Sequence, residues 1–305
     1  MRRRGASLLI FGLCASILAF VGCRAPASFG PGLPSEGTRL AVDDARAESV
    51  LRSYLDLAGA RSALRGSARV LLEGPDFKLN RPQRILVERP ARLRFEVLGL
   101  FDQLAAMLAT NGRLFGFYDV STGDISRGRV TPTLLWDLAK IDLDVDEVVG
   151  LLLAAPLPSP GIARTAVWLE PDGRLALVFA WPDEDAAPDC EAPAPQALFD
   201  AACFVELDSL EAGGEVFLFD VSGRLVEVRN LSPGGAIRYR ATFEDYAVQA
   251  IGVGGSEIEF PNRITLRSPE AESMARFTWK RVMFAEGLSD RFFMIPDRRA
   301  AFGDG

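Results

Sequence analysis

Residues 92–119 read RLRFEVLGLFDQLAAMLATNGRLFGFYD, and this stretch decides the fold class of the chain. Residues 92–98 alternate charged and apolar side chains, which is the period-two pattern of a half-buried strand. Residues 103–110 continue as a second strand, and Asn111-Gly112 is a strong hairpin signal before a third strand over residues 113–120. Three strands joined by short turns predict an antiparallel meander.

The meander extends in both directions and has one helical interruption. Period-two alternation begins at Ser67 and returns near residues 175–181, 216–219, 225–228, 237–243, 264–266 and 277–279. The strand at 216–219 is apolar on both faces, and a phase change at Lys280-Arg281 predicts a β-bulge. Acidic residues at 43 and 44 favour a helix that ends near Gly59, and residues 131–155 predict two short apolar helices. We therefore predict a mainly β (α+β) fold, a curved sheet with helices against its concave face.

The first 23 residues have the composition of a cleaved export signal. Three arginines at 2–4 precede an uncharged apolar run over residues 8–21, which is short for a membrane span. Val21-Gly22-Cys23 resembles the bacterial lipobox, in which the cysteine is lipidated after cleavage. We predict a lipoprotein signal peptide at residues 1–22, acyl chains such as palmitate on Cys23, a flexible tether at 23–42 and one domain at 43–300. An ordinary signal peptide or an N-terminal anchor helix is the alternative.

Charge and acylation together predict where the chain resides. Removal of residues 1–22 takes away three arginines and no acidic residue, so the net charge changes from −7 to −10. Such an acidic chain is a poor partner for nucleic acid. A diacylated cysteine is sufficient for stable membrane anchoring. The residue after Cys23 is Arg24. An aspartate at that position resembles an inner-membrane retention signal, and its absence favours the periplasmic face of the outer membrane.

The residue inventory argues against an enzyme and against a metal site. The chain has no histidine, which removes the commonest general base and the commonest metal ligand. We predict no catalytic residue, no cofactor and no metal, with a carboxylate-based enzyme as the third-ranked possibility. The acidic residues at 142, 144, 146 and 147 lack the glycine and the final acid of a calcium loop, so helix capping explains them better.

Two cysteines of the mature chain are available for pairing. Cys190 and Cys203 bracket a Pro- and Ala-rich stretch, and an exported protein meets an oxidising compartment. We predict a disulfide between them, which for a loop of this size contributes roughly 3 kcal/mol. Two unpaired thiols are the alternative.

Five segments carry a resemblance to a known superfamily. They are RPARLRFEVLG at Arg89–Gly99, LATNGRLFGFYD at Leu108–Asp119, VDEVVGLLLAAPLP at Val145–Pro158, FPNRITLRSPE at Phe260–Glu270 and FFMIP at Phe292–Pro296. With the lipobox and the order of the strands, the chain resembles the LolA/LolB-like lipoprotein-localisation factors. The resemblance covers about residues 43–296 and implies a half-open antiparallel β-barrel covered by short helices.

The resemblance also implies a ligand and a membrane contact. It implies that the cleft of the half-open barrel holds acyl chains of lipoproteins or lipids. In the LolB branch the turn after the third strand carries an exposed apolar residue that meets the membrane, and Leu100 and Phe101 match it by position. For these two, burial at a strand end is an equal alternative. The candidate cleft-lining residues, for each of which ordinary core packing is the alternative, are Phe95, Val97, Phe115, Phe117, Trp136, Leu152, Val226, Val228, Phe277 and Trp279.

Two functions from different classes remain open at this stage. The first is a monomeric outer-membrane lipoprotein that binds acyl chains and assists lipoprotein or lipid localisation, with a periplasmic carrier protein as a partner. The second is a non-enzymatic protein-binding accessory or envelope-sensor module on the same scaffold, whose cleft would hold no lipid.

Overall fold

Residues 92–119 form three successive antiparallel strands, as their alternation predicts. The structure is a computed structural model, and it describes residues 32–34, 36–182, 195–205, 213–251 and 256–294. The predicted signal peptide, Cys23 and Cys190 lie outside the described residues.

The described residues contain one large sheet. Its strands are β1 (Thr38–Leu40), β2 (Ala63–Gly74), β3 (Phe77–Glu88), β4 (Arg92–Leu98), β5 (Leu104–Thr110), β6 (Leu114–Asp119), β7 (Asp124–Arg129), β8 (Ala163–Leu169), β9 (Leu175–Ala180), β10 (Gly214–Phe219), β11 (Leu225–Leu231), β12 (Ile237–Ile251), β13 (Ser256–Ser268) and β14 (Ser273–Ala285).

The strands β8–β14 form one antiparallel meander, the strands β2–β7 form another, and the two lie side by side in the sheet. Their order is β1-β8-β9-β10-β11-β12-β13-β14-β2-β3-β4-β5-β6-β7, and the neighbours in this order are antiparallel. The last strand, β14, pairs with the first strand of the other meander, β2, so the two halves share one continuous ladder. The sheet does not close, which confirms the predicted half-open antiparallel barrel.

In the described part of the chain, three α-helices pack on the inner face of the sheet: α1 (Ala45–Ala60), α2 (Leu134–Ala139) and α3 (Val145–Leu152). The main core lies between them and the strands, and a second, smaller core lies on the other side of β8–β11. β9 and β10 are buried on both faces, as predicted for residues 216–219.

Helix α1 fills the space over one half of the sheet. Asp44 caps it, because its carboxylate accepts the backbone N–H of Arg46 at 2.9 Å. On its buried face, the Tyr54 ring meets the edges of Phe217 and Phe219 at centroid distances of 6.0 and 5.3 Å. On the inner face of the other half, β2–β5, the helices of the described residues are α2 and α3, which are 6 and 8 residues long. The shorter cover leaves room for a cavity there.

The sheet also differs from the sequence-based expectation at three strands. β1 pairs with β8, so the sheet begins before the predicted domain boundary at residue 43. β7 is a mostly exposed edge strand with a polar sequence, and β8 is buried on both sides at its start, so neither shows apolar–polar alternation. The predicted bulge is confirmed, because the β14 register shifts between Trp279 and Arg281.

Candidate functional site

An apolar cavity of about 300 Å³ lies between the inner face of β2–β5 and the helices α2 and α3. This volume is at the lower end of the roughly 300–1,000 Å³ of small-molecule sites, and far above the space one water needs. Among the described residues of its lining, Gln83 is the one polar side chain. The cavity is thus suited to an elongated apolar group.

Neighbouring strands contribute residues from the same register row. Phe95 on β4 is opposite Leu108 on β5, and Leu108 is opposite Phe117 on β6. All three line the cavity, since residues in register share a face of the sheet. Phe277 on β14 reaches the same space and stacks on Phe95 with ring centroids 6.2 Å apart. The aromatic row forms one wall.

Five of the ten predicted cleft residues line this cavity: Phe95, Val97, Phe117, Leu152 and Phe277. The other five do not, for local reasons.

Three of those five lie in other parts of the fold. Val226 is the extra residue of a bulge between β10 and β11, so it faces the second core instead of the inner face. Val228 packs in the main core on β11, away from the cavity. Trp279 is buried edge-on against Phe260, at a centroid distance of 6.1 Å.

The remaining two are outside the lining, although each lies on an element that contributes a lining residue. Phe115 lies over Gly128 of the edge strand, where a Cβ would come within 2.7 Å of its ring. Trp136 is 38% exposed, because it lies on α2 between Leu135 and Leu138, the two α2 residues that do face the cavity.

Polar contacts at both ends hold α3 over the cavity. At its start, Glu147 accepts the backbone N–H of Asp144 at 2.8 Å, which confirms that these acidic residues cap a helix. Glu147 also pairs with Arg238 of β12. Burial raises the pKa of the Glu147 carboxyl, and the guanidinium of Arg238 opposes that rise.

The end of α3 is held by buried donors. Arg61, only 2% exposed, donates to the carbonyl of Ala154 at 2.8 Å and to that of Glu259 at 2.5 Å. Arg89 donates to the carbonyl of Ala155, and the hydroxyl of Tyr54 donates to that of Pro156. Ala154, Ala155 and Pro156 belong to the buried segment directly after α3, so these bonds give its carbonyls donors and connect it to α1 and to the residue after β3. Sequence reasoning missed both arginines, since each reads as an ordinary strand-end charge.

Arg61→Met should lower the free energy of unfolding by about 2–4 kcal/mol, because it retains the aliphatic volume but leaves the buried carbonyl of Ala154 and the part-buried carbonyl of Glu259 without their donor. The measurement is denaturant unfolding followed by tryptophan fluorescence. Arg52→Met is the matched control, since the Arg52 guanidinium is exposed on α1, where it pairs with Glu48 and lies over the Phe199 ring at 4.5 Å, and these exposed contacts together should contribute about 1 kcal/mol or less. Equal effects of the two variants would contradict the role of Arg61.

The turn between β4 and β5 presents two apolar side chains to solvent. Leu100 is 81% and Phe101 is 89% exposed, so these two residues are not buried at the strand end. The turn is held from within: Gln103 accepts the N–H of Phe101 through its side chain, and accepts that of Gly99 through its backbone, each at 2.8 Å. The exposure is therefore a property of an ordered turn.

Of the predicted Cys190–Cys203 disulfide, the structure describes one cysteine. Cys203 is buried in a short 3₁₀ segment, but Cys190 lies outside the described residues, so their disulfide stays a prediction. Across the described ranges, no cluster of three or more acidic, cysteine or histidine side chains could hold a metal ion. Nor does any helix in those ranges have the length and apolar character to cross a bilayer.

Comparison with known proteins finds similarity in structure only. No protein-family model and no curated protein matches the chain. A LolA superfamily protein from Nitrosomonas europaea is 11% identical, with a TM-score of 0.44, over 82% of this chain and 97% of its own. An outer membrane lipoprotein-sorting protein domain from Vibrio parahaemolyticus is 10% identical, with a TM-score of 0.43, over 80% of this chain and 94% of its own. A DUF1329 family protein from Desulfovibrio piger is 9% identical, with a TM-score of 0.47, over 82% of this chain and 96% of its own. At these values the similarity concerns overall architecture and says nothing of a ligand.

Proposed function

We propose that the protein is a lipid-anchored outer-membrane lipoprotein that binds acyl chains in the cavity beneath α2 and α3 and assists lipoprotein or lipid localisation. The observation that carries this proposal is the cavity itself, whose lining, as far as the structure describes the chain, has one polar side chain and no charged one. An enzyme site would need groups that hold or move protons, and this lining offers only an amide.

The driving force for such binding is burial of methylene groups. Each buried methylene contributes roughly 0.8 kcal/mol. A chain that places six to eight methylenes in the cavity would thus gain about 5–6 kcal/mol before the cost of ordering it. This implies reversible binding, which a carrier needs in order to release its cargo.

Titration of the full chain with diphenylhexatriene, a fluorescent hydrocarbon, tests the proposal. We expect a saturable fluorescence increase, and displacement of the probe by monopalmitoylglycerol. No increase, or an increase that the acyl compound does not reverse, would remove the acyl-binding function. A protein-binding module with a filled cleft would give that result.

Membrane attachment through Cys23 is a separate part of the proposal. Cys23→Ser should move the protein from the membrane fraction, because it removes the only cysteine of the lipobox and therefore the acyl chains that anchor it. Cell fractionation with immunodetection is the measurement, and Cys14→Ser, inside the signal peptide, is the control. Membrane retention of the Cys23→Ser protein would contradict lipid anchoring at this residue.

A further inference from the structure

Gln83 is the exception in an otherwise apolar cavity. It lies near the middle of β3, in register with Ala68 on β2 and Val97 on β4. Its side chain is on the inner face and only 4% of the residue is exposed. Among the described residues none forms a hydrogen bond with its amide.

A polar side chain that faces an apolar cavity and has no protein partner is suited to bind a polar atom of a ligand. The amide is open to the cavity, so an apolar ligand that fills the cavity would desolvate it without giving it a partner, and a leucine of similar size would complete the apolar wall without that cost. The neighbouring side chains are small: Ala68 on one side, and Ala106 of β5 beyond Val97 on the other. Space therefore remains beside the amide for a ligand atom.

The charge of the site restricts what that atom can be. None of the described lining residues is charged, so an ionised carboxylate beside Gln83 would lose its hydration without gaining a counter-ion from them. A neutral carbonyl has no such penalty and can accept a hydrogen bond from the amide NH₂. Hydrocarbon alone would leave the amide unsatisfied.

We propose that Gln83 determines specificity in the cavity by donating a hydrogen bond to the neutral carbonyl of an ester- or amide-linked acyl chain. This inference rests on the proposed acyl-binding function and adds the class of ligand. It distinguishes acylated glycerol or acylated protein from free fatty acid, which is ionised at neutral pH.

The test uses Gln83→Leu in the full chain with two probes. Diphenylhexatriene has no polar atom and leaves the amide without a partner, so its affinity should be equal or higher in the variant. The affinity for monopalmitoylglycerol should fall about tenfold, the equivalent of about 1.4 kcal/mol for one hydrogen bond. Leu108→Met is the matched control, since Leu108 lines the cavity on the same face as Phe95 and its replacement conserves volume and leaves the amide in place.

The outcomes separate the two proposals. If the wild-type protein binds neither probe, the acyl-binding function fails. If it binds both and Gln83→Leu binds monopalmitoylglycerol equally well, the role of Gln83 fails while acyl binding stands. A second measurement, independent of any variant, compares ligands on the wild-type protein at pH 7.5. Tighter binding of monopalmitoylglycerol than of palmitate supports the proposal, and equal or weaker binding overturns it.

Discussion

Ala106→Phe should abolish binding of diphenylhexatriene and of monopalmitoylglycerol while the protein remains folded. Ala106 lies on β5, is opposite Val97 in the adjacent strand and lines the cavity. A phenyl group there would occupy the space in which a bound chain would lie. Because that space is empty, the added ring should not cause the 1–3 kcal/mol penalty typical of overpacking a filled core. We expect the affinity for both probes to fall by roughly 100-fold or more, the equivalent of losing about four buried methylenes.

Ala105→Phe is the matched control for this experiment. It introduces the same ring at the adjacent residue of the same strand, whose side chain is absent from the cavity lining. Probe titration gives the affinities, and far-UV circular dichroism with thermal unfolding shows whether each variant is folded. If Ala106→Phe is folded and binds both probes as the wild type does, the cavity under α2 and α3 is not the binding site.

The second large effect should come from the exposed turn. Replacement of Leu100 and Phe101 by glutamate should prevent the chain without residues 1–23 from binding lipid vesicles. Full burial of a leucine or phenylalanine contributes roughly 1.5–3 kcal/mol, so two side chains that are 81% and 89% exposed could supply about 3–5 kcal/mol at a membrane. Their loss should lower vesicle partitioning by about 100-fold or more.

Vesicle flotation measures this partitioning, and the hairpin between β10 and β11 provides a control. Val221 is 75% exposed on that turn, so Val221→Glu adds a charge at a comparable apolar position elsewhere on the surface. It should leave partitioning unchanged. Equal loss in the control would indicate a general charge effect on an acidic protein, and no loss in the double variant would contradict a membrane role for the β4–β5 turn.

The strand and helix pattern of this chain was largely predictable, because most elements bury one face. The alternation in β4, the Asn111-Gly112 turn and the acidic start of α3 each report a local constraint that one sequence displays. β8 was missed since its first residues are buried on both sides, and β7 because an exposed edge strand carries no apolar face. A single sequence therefore best predicts the strands and helices that bury one face, because their apolar residues recur with a regular period.

The cavity was less predictable, because it depends on how much of the space over β2–β5 the side chains of α2 and α3 occupy. Phe95 and Phe277 both have the period of a core strand, and so do Val228 and Trp279, yet only the first pair lines the empty space. The bulge at Val226 changes its face, which no local motif announces. Gln83 did carry a signal, since it is in phase with the buried residues of β3, where an unpartnered amide is unexpected.

Native mass spectrometry of the full-length protein, extracted in mild detergent from its own membrane, tests the central claim most directly. The account predicts a non-covalent adduct with the mass of an acylated molecule, which collisional activation releases and which Ala106→Phe lacks. Protein that carries only covalent acylation, and that still shows no adduct after incubation with monopalmitoylglycerol, would contradict it.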